Sequence, residues 1–396
     1  MNKLLHHLID IWEVFANEVR YVFHDAGVLL LFFVATLLYP FIFAAVYHSE
    51  MVLNIPVAVV DESNSEASHR FIHKLDATPE LEVDYRCCTM EEAKRLMRSH
   101  KVHAIVLFPR DYGTRIARIE TARACLFCDM STFLYYRSVM TGASNVLVDE
   151  MKFIEMQRCE IQGLTEADAE GQVTPIGYED VKLFSAPGGF TSFLVPPLLV
   201  LVIHQTLFLG IGVLFGTARE KRHFAAIPLR LRRGATVRIM FGRSLAYLMI
   251  YIPVVFIDLF VLPRVFGFPH IGAIGTLVGF LLPFMLATIF FSITMAGFFR
   301  ERDTIIVTCI FFSIILLFLS GTVWPQSNMP PVWRWFSYLF PSTPGVQGFI
   351  RINAMGAHLS EVAFEYRLLW AQTGVYFFTA CTSLRLMSYL RRKNII

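Results

Sequence analysis

Five stretches of this chain, 26–49, 183–218, 265–299, 304–333 and 368–384, contain no Asp, Glu, Lys or Arg. A bilayer core about 30 Å thick takes roughly 20 predominantly apolar residues per helix, so each stretch is long enough to cross it once. A sixth, 244–262, is interrupted only by Asp258 near its far end. The pattern predicts six membrane helices, at about 26–47, 192–216, 244–262, 274–298, 305–323 and 368–389. Composition agrees: of 396 residues 55% are hydrophobic and 17% charged, against about 25% charged in soluble domains. A disordered chain and a disulfide mini-scaffold are excluded, and an ordinary soluble enzyme is disfavoured.

Charge orients the set. Residues 48–190 carry 15 Lys/Arg against 22 Asp/Glu, a net of −7, and the remainder 20 against 10, a net of +10. Lys and Arg crowd into the loop 217–243, the turn holding Arg300 and Arg302, and the tail 391–396. The opposite short loops hold only Arg264, Arg334, Arg351 and Arg367. The positive-inside rule then predicts both termini in the cytoplasm and residues 48–190 outside, in the periplasm or extracellularly. The first span reads as uncleaved, since a 24-residue apolar run exceeds a signal-peptide core of about 7–15 residues. Within residues 1–25, Leu5, Leu8, Ile9, Trp12, Phe15, Val19 and Val22 recur at helical spacing, with Asp10, Glu13 and Asn17 on the other side. This predicts an amphipathic helix in the cytoplasmic interface, or one packed on a soluble partner.

The acidic segment alternates short apolar runs with amphipathic stretches. Strands are predicted at 55–60, 81–85, 102–108 and 122–127. Helices are predicted at 65–75, at 89–99 with a Thr-x-x-Glu capping box, and at about 133–162. The fold class is therefore a membrane α-helical protein of six transmembrane helices with an inserted periplasmic α/β domain, the later helices lying within 191–390. Five of seven cysteines, Cys87, Cys88, Cys125, Cys128 and Cys159, fall in that domain. Cys125 and Cys128 have the spacing of a redox or metal pair, but on a strand residues three apart face opposite sides, so structural thiols or an ordinary disulfide compete with that reading.

No P-loop, nucleophile elbow, His-Glu-x-x-His helix or Rossmann glycine fingerprint occurs, and no catalytic, cofactor or metal residues are predicted. Inside the spans the polar exceptions are His204 and Gln205 in the second and Asp258 in the third, each a candidate for a translocation pathway. For Asp258 the milder alternative is pairing with Arg264. Gly212 and Gly216, and Gly275 and Gly279, form steps that pack helices closely. The loop 217–243 is too basic to lie outside and suits either anionic headgroups or a cytoplasmic partner.

Several local patterns, in order, resemble the type-2 ABC exporter permeases, in the multidrug-exporter branch with an enlarged periplasmic domain. They are Ile55-Pro56-Val57-Ala58-Val59-Val60-Asp61 with Ser65 and Ser68, Asp129-Met130-Ser131, Gln205, Arg219-Glu220, Pro228-Leu229, and Gly242-Arg243-Ser244-Leu245-Ala246-Tyr247. Trp324-Pro325, Met329-Pro330, Phe340-Pro341-Ser342-Thr343 and the run 351–356 are similar to the family's outer re-entrant segment. Lys221-Arg222 stand where the family usually has Gly-Thr, and Gly242-Arg243 where it has Gly-Lys.

The resemblance implies a permease subunit in the cell inner membrane that moves a drug-like, lipid or other amphipathic substrate outward. It implies an ATPase-coupling loop with Arg219, Glu220, Lys221, Arg222, Pro228 and Arg230, and ATP and Mg on a separate ABC ATPase subunit, so that this chain is no enzyme. It further implies a homodimer or a paralogous permease, with spans two and five tilting at the dimer seam. A periplasmic adaptor with an outer-membrane channel, and membrane lipids, complete the implied partners, with no nucleic acid. The alternative is a membrane-anchored receptor or adhesion scaffold acting through its periplasmic domain.

Overall fold

A computed structural model describes residues 3–47, 51–174, 183, 189–220, 231, 235–268, 270–299 and 301–392. The chain divides into two compact units, Met1–His48 with Lys182–Ile396, and Ser49–Val181. In chain order the helices and strands are α1 (Lys3–His24), α2 (Ala26–Val46), β1 (Ile55–Asp61), α3 (Glu66–Asp76), β2 (Leu81–Cys87), α4 (Met90–Arg98), β3 (Ala104–Phe108), α5 (Tyr112–Ala117), β4 (Cys125–Cys128), α6 (Phe133–Ile161) and α7 (Glu166–Val173). They continue with α8 (Phe190–Glu220), α9 (Thr236–Phe266), α10 (Ile274–Ala296), α11 (Arg302–Leu319), α12 (Pro331–Ser337), α13 (Ser342–Met355) and α14 (Ala363–Arg392).

In the first unit, α2, α8, α9, α10 and α11 are long and apolar enough to cross a membrane. Helix α14 contains the predicted sixth span and is 30 residues long. Its middle carries Gln372, Thr373 and Thr379: the Gln372 amide N–H donates to Tyr338 O at 2.7 Å, Thr373 to Pro283 O at 3.2 Å, and Thr379 meets Thr294 of α10 at 2.9 Å. Among the described residues, helix α14 is not one of the five helices long and apolar enough to cross a membrane. The predicted fifth span is shifted: α11 ends at Leu319, because Gly321 takes a left-handed φ of +84°.

Helix α8 is the hub. Its 31 residues extend about 46 Å at 1.5 Å per residue, and 78% of its apolar window is buried, against 28% for α2 and 22% for α11. Phe32 of α2 lies against Gly210, Ile305 of α11 against Gly212, and the rings of His204 and Phe208 against Phe291 of α10. The Gly212/Gly216 step therefore packs helices closely, as its spacing predicts. The Gly275/Gly279 step does not: nothing lies near Gly275, and Gly279 meets only Leu359 at 3.5 Å. Two shorter-spaced glycines, Gly345 and Gly348, instead seat α13 on Phe284 and Phe280 of α10.

Helix α1 keeps part of its apolar side unpacked and buries acidic residues instead. Leu8 and Trp12 are 62% and 65% exposed, whereas Asp10, Val14, Glu18 and Val22, spaced every four residues, are buried. The apolar side is thus left facing outward, as suits an interfacial helix, and the acidic stripe docks on α9.

The second unit is an α/β domain whose sheet has the order β2-β1-β3-β4, with β1, β2 and β3 parallel and β4 antiparallel at one edge. Alternation along β1 divides its two cores: Val57 and Val59 pack with Phe71, Leu75 and Val146 of α3 and α6, and Ala58 and Val60 with Ala93 of α4. Ser65 caps α3 through a reciprocal bond with Ser68, and Thr89 caps α4 by accepting from Glu92 N at 3.3 Å. All seven cysteines are free thiols, so the Cys125/Cys128 spacing on β4 makes no disulfide.

Candidate functional site

The basic loop 217–243, expected to couple to a partner, is approached from both sides by described residues. Lys221, Arg222, Pro228 and Arg230 lie outside them; Arg219 and Glu220 end α8 and are committed to the turn between α10 and α11. The Arg219 guanidinium donates to the carbonyls of Phe299 and Gly297, the latter at 3.2 Å. Glu220 Oε1 accepts from the backbone N–H of Arg302 at 2.8 Å. Glu301, the N-cap residue of α11, makes no side-chain cap of its own, so Glu220 brings negative charge to that positive helix end from a different helix. Gly216, one turn back, makes the approach possible: a methyl group there would come within 2.9 Å of the Arg302 Cα.

On the far side of the segment, α9 is clamped to α1. Arg238 pairs with Asp10, and Arg243 Nε donates to Glu18 Oε2 at 3.1 Å. Tyr247 donates its hydroxyl to the other Glu18 oxygen. Arg243 also lies over the Phe215 ring of α8, 4.7 Å from its centroid, so one guanidinium joins α1, α8 and α9. Gly242 admits α1, since a methyl group would meet Val14 at 2.7 Å and Ile11 O at 2.8 Å. Burial and the carboxylates of Asp25 and Glu18 push the Tyr21 hydroxyl of α1 up, so it stays a neutral phenol. Sequence reading had placed Asp10 on a polar outer face. The available signal was the eight-residue repeat of Asp10 and Glu18 through Val14, facing a later helix with Arg238 and Arg243.

The three intramembrane candidates are not gathered into one site. His204 turns to Phe291, ring centroids 5.7 Å apart, and neither ring nitrogen has a hydrogen-bond partner. Gln205, next along the helix, faces α11, where its amide oxygen lies 3.6 Å from Cys309 Sγ. Asp258 sits in a π-helical turn of α9, Ile257–Val261, completely buried, with no partner for either carboxylate oxygen. Pairing with Arg264 does not occur; Arg264 is exposed.

In the α/β unit the singled-out polar motifs are local architecture. Asp61 Oδ1 accepts from Ser63 N and Asn64 N at 3.0 and 2.9 Å, and Oδ2 from Ser68 Oγ at 2.7 Å. Asp129 accepts from Ser131 N at 2.8 Å, and bonds from the backbone and side chain of Ser131 hold its carboxyl below the usual range.

A family model described as ABC-2 family transporter protein matches residues 26–381. No curated protein matches the chain. The matched range takes in the α/β unit and the first five predicted spans, begins after α1 and ends inside α14.

Proposed function

The chain belongs to the ABC-2 family of transporter proteins, and on that premise we propose that it is the permease of an ATP-driven exporter of the cell inner membrane. Membership makes it a multi-pass, membrane-spanning subunit of an ABC transporter and implies an ATPase partner. In the proposed arrangement both termini are cytoplasmic, six helices span the bilayer, and the α/β unit lies in the periplasm, where an adaptor leading to an outer-membrane channel would meet it. ATP and Mg belong to the partner.

The observation that carries this reading is the pair of clamps bracketing the basic loop. A partner pressing on that loop would act on anchored helix ends, because α8 is fastened to the α10–α11 turn through Arg219 and Glu220 and α9 to α1 through Arg238 and Arg243. Displacement of the loop is handed on to α1, α8, α9 and α11 together, the kind of rigid-element shift that an exporter needs to alternate its opening. Arg219 and Glu220 thus act as transmitters within the permease, while the partner contact falls to the Lys221–Arg230 stretch. Two copies would meet through α11 and α2, whose Ile310, Phe311, Ile314, Leu30 and Val34 are exposed apolar side chains; α8 is too enclosed to form the seam expected of span two. An amphipathic cargo, drug-like or lipid, suits a bundle whose three intramembrane candidates, His204, Gln205 and Asp258, are not gathered into one polar site.

The test is reconstitution in vesicles with and without the cognate P-loop ATPase. The pure chain is expected to hydrolyse no ATP, and cargo export to require both subunits. Arg219→Ala with Glu220→Gln is expected to retain ATPase co-purification and to lose at least about tenfold in export rate. Robust hydrolysis by the permease alone, or wild-type export by the double variant, would defeat the reading.

A further inference from the structure

We propose that Asp258 is a proton-binding site within the membrane-spanning bundle, kept as the neutral acid while the bundle is closed around it and ionised when water reaches it. The residue is 0% exposed, as is Leu259 beside it, and both carboxylate oxygens lack a hydrogen-bond donor. An unpaired carboxylate in a low-dielectric interior costs several kcal/mol more than its neutral form, and intramembrane acids otherwise pair or face water. Neither compensation is present here. A site with no exposed surface has no room for a hydrated ion, and a proton is the one ligand that needs no volume.

The neighbours supply no counter-charge. The π turn packs against α2, α8 and the rest of α9. On α2 the titratable side chain is Tyr39, which is exposed; on α8 it is His204, turned to Phe291, with Arg219 and Glu220 at the far end bound to the α10–α11 turn. On α9 itself, Arg238, Arg243 and Tyr247 are engaged by α1, and Arg264 is exposed. His270, whose ring meets Phe260 edge-on, is bonded to Asn353.

A second observation points to the same place. Tyr251, seven residues earlier and so on the same helix face, is also 0% exposed, its hydroxyl meeting Thr36 of α2 and Thr206 of α8. The unpartnered Asp258 thus shares a buried stripe with a phenol on a helix whose regular bonding is interrupted at Ile257–Val261. Such π turns leave backbone carbonyls loosely bonded, and a carboxylic acid brings an O–H to donate where a carboxylate has none. The step balances simply: the carboxylate takes a proton from hydronium, leaving water, as the bundle closes, and returns it to water as the bundle opens. Burial carries this inference whatever the cargo, so it does not stand or fall with the export reading.

The experiment uses the full chain in lipid nanodiscs near neutral pH. Infrared difference spectra of the wild type against Asp258→Asn, an uncharged shape mimic, are expected to show one carboxylic-acid C=O band that the variant loses. Dicyclohexylcarbodiimide reacts with a neutral acid, the carboxyl proton moving to a carbodiimide nitrogen as the oxygen bonds to its central carbon. Fragment-ion mapping is expected to place the adduct on Asp258. A carboxylate band in place of the acid band, with Asp258 unmodified, overturns the proposal. If Asp258→Asn does not fold, Asp258→Glu decides instead, since it keeps the neutral acid and is expected to shift its band; an unshifted band overturns the assignment.

Discussion

Glu18 and Arg243 stand 225 positions apart in sequence and share one hydrogen bond in the bundle, with side-chain exposures of 2% and 6%. Breaking a buried pair from one side leaves an uncompensated charge, at a cost of about 3–5 kcal/mol. Glu18→Ala is therefore expected to lower the unfolding midpoint of the detergent-purified chain and to free α1, read as faster proteolysis near its start; an unchanged midpoint would show the pair to be incidental. Arg243→Lys asks a finer question, because lysine is the residue the resembled family usually has there. Lysine keeps the charge but loses the planar group over Phe215, a loss of about 1 kcal/mol, so a small drop in midpoint with α1 still protected is expected. Neither partner was legible as such in the sequence, where Asp10 and Glu18 read as ordinary charges and Arg243 as one of many in a basic loop.

At the scale of helices, one spacing has two outcomes. Gly216 brings α8 onto the backbone of Arg302, whereas Gly275 has nothing within 4 Å. A four-residue glycine step marks a smooth helix surface, but only the neighbour decides whether a backbone comes to lie on it. Gly216→Leu is expected to push α11 away, break the Glu220 cap and cost about 1–3 kcal/mol or more from overpacking, seen as aggregation in size-exclusion chromatography. Gly275→Leu is expected to elute as wild type, and the reverse ranking would refute the helix contacts described. The strand and helix positions of the α/β unit were readable because each has its own period and caps. The short helices α5 and α7 carry too few residues for a period to register and were missed.

For the molecule as a whole, the two units build separate cores. The α/β unit buries two separate cores on its own sheet, so residues 51–174 expressed alone are expected to be soluble and to unfold cooperatively by circular dichroism. A molten or insoluble product would mean that the unit depends on the rest of the chain. The sequence by itself determined where the apolar segments lie and where the acidic insertion begins. These are sums over neighbouring residues, and the bilayer reads them locally. Only the tertiary structure decided which acids find a base, which glycines meet a neighbour and that Asp258 meets none. Those outcomes depend on contacts between segments up to hundreds of residues apart, and local pattern carries no record of distance in space.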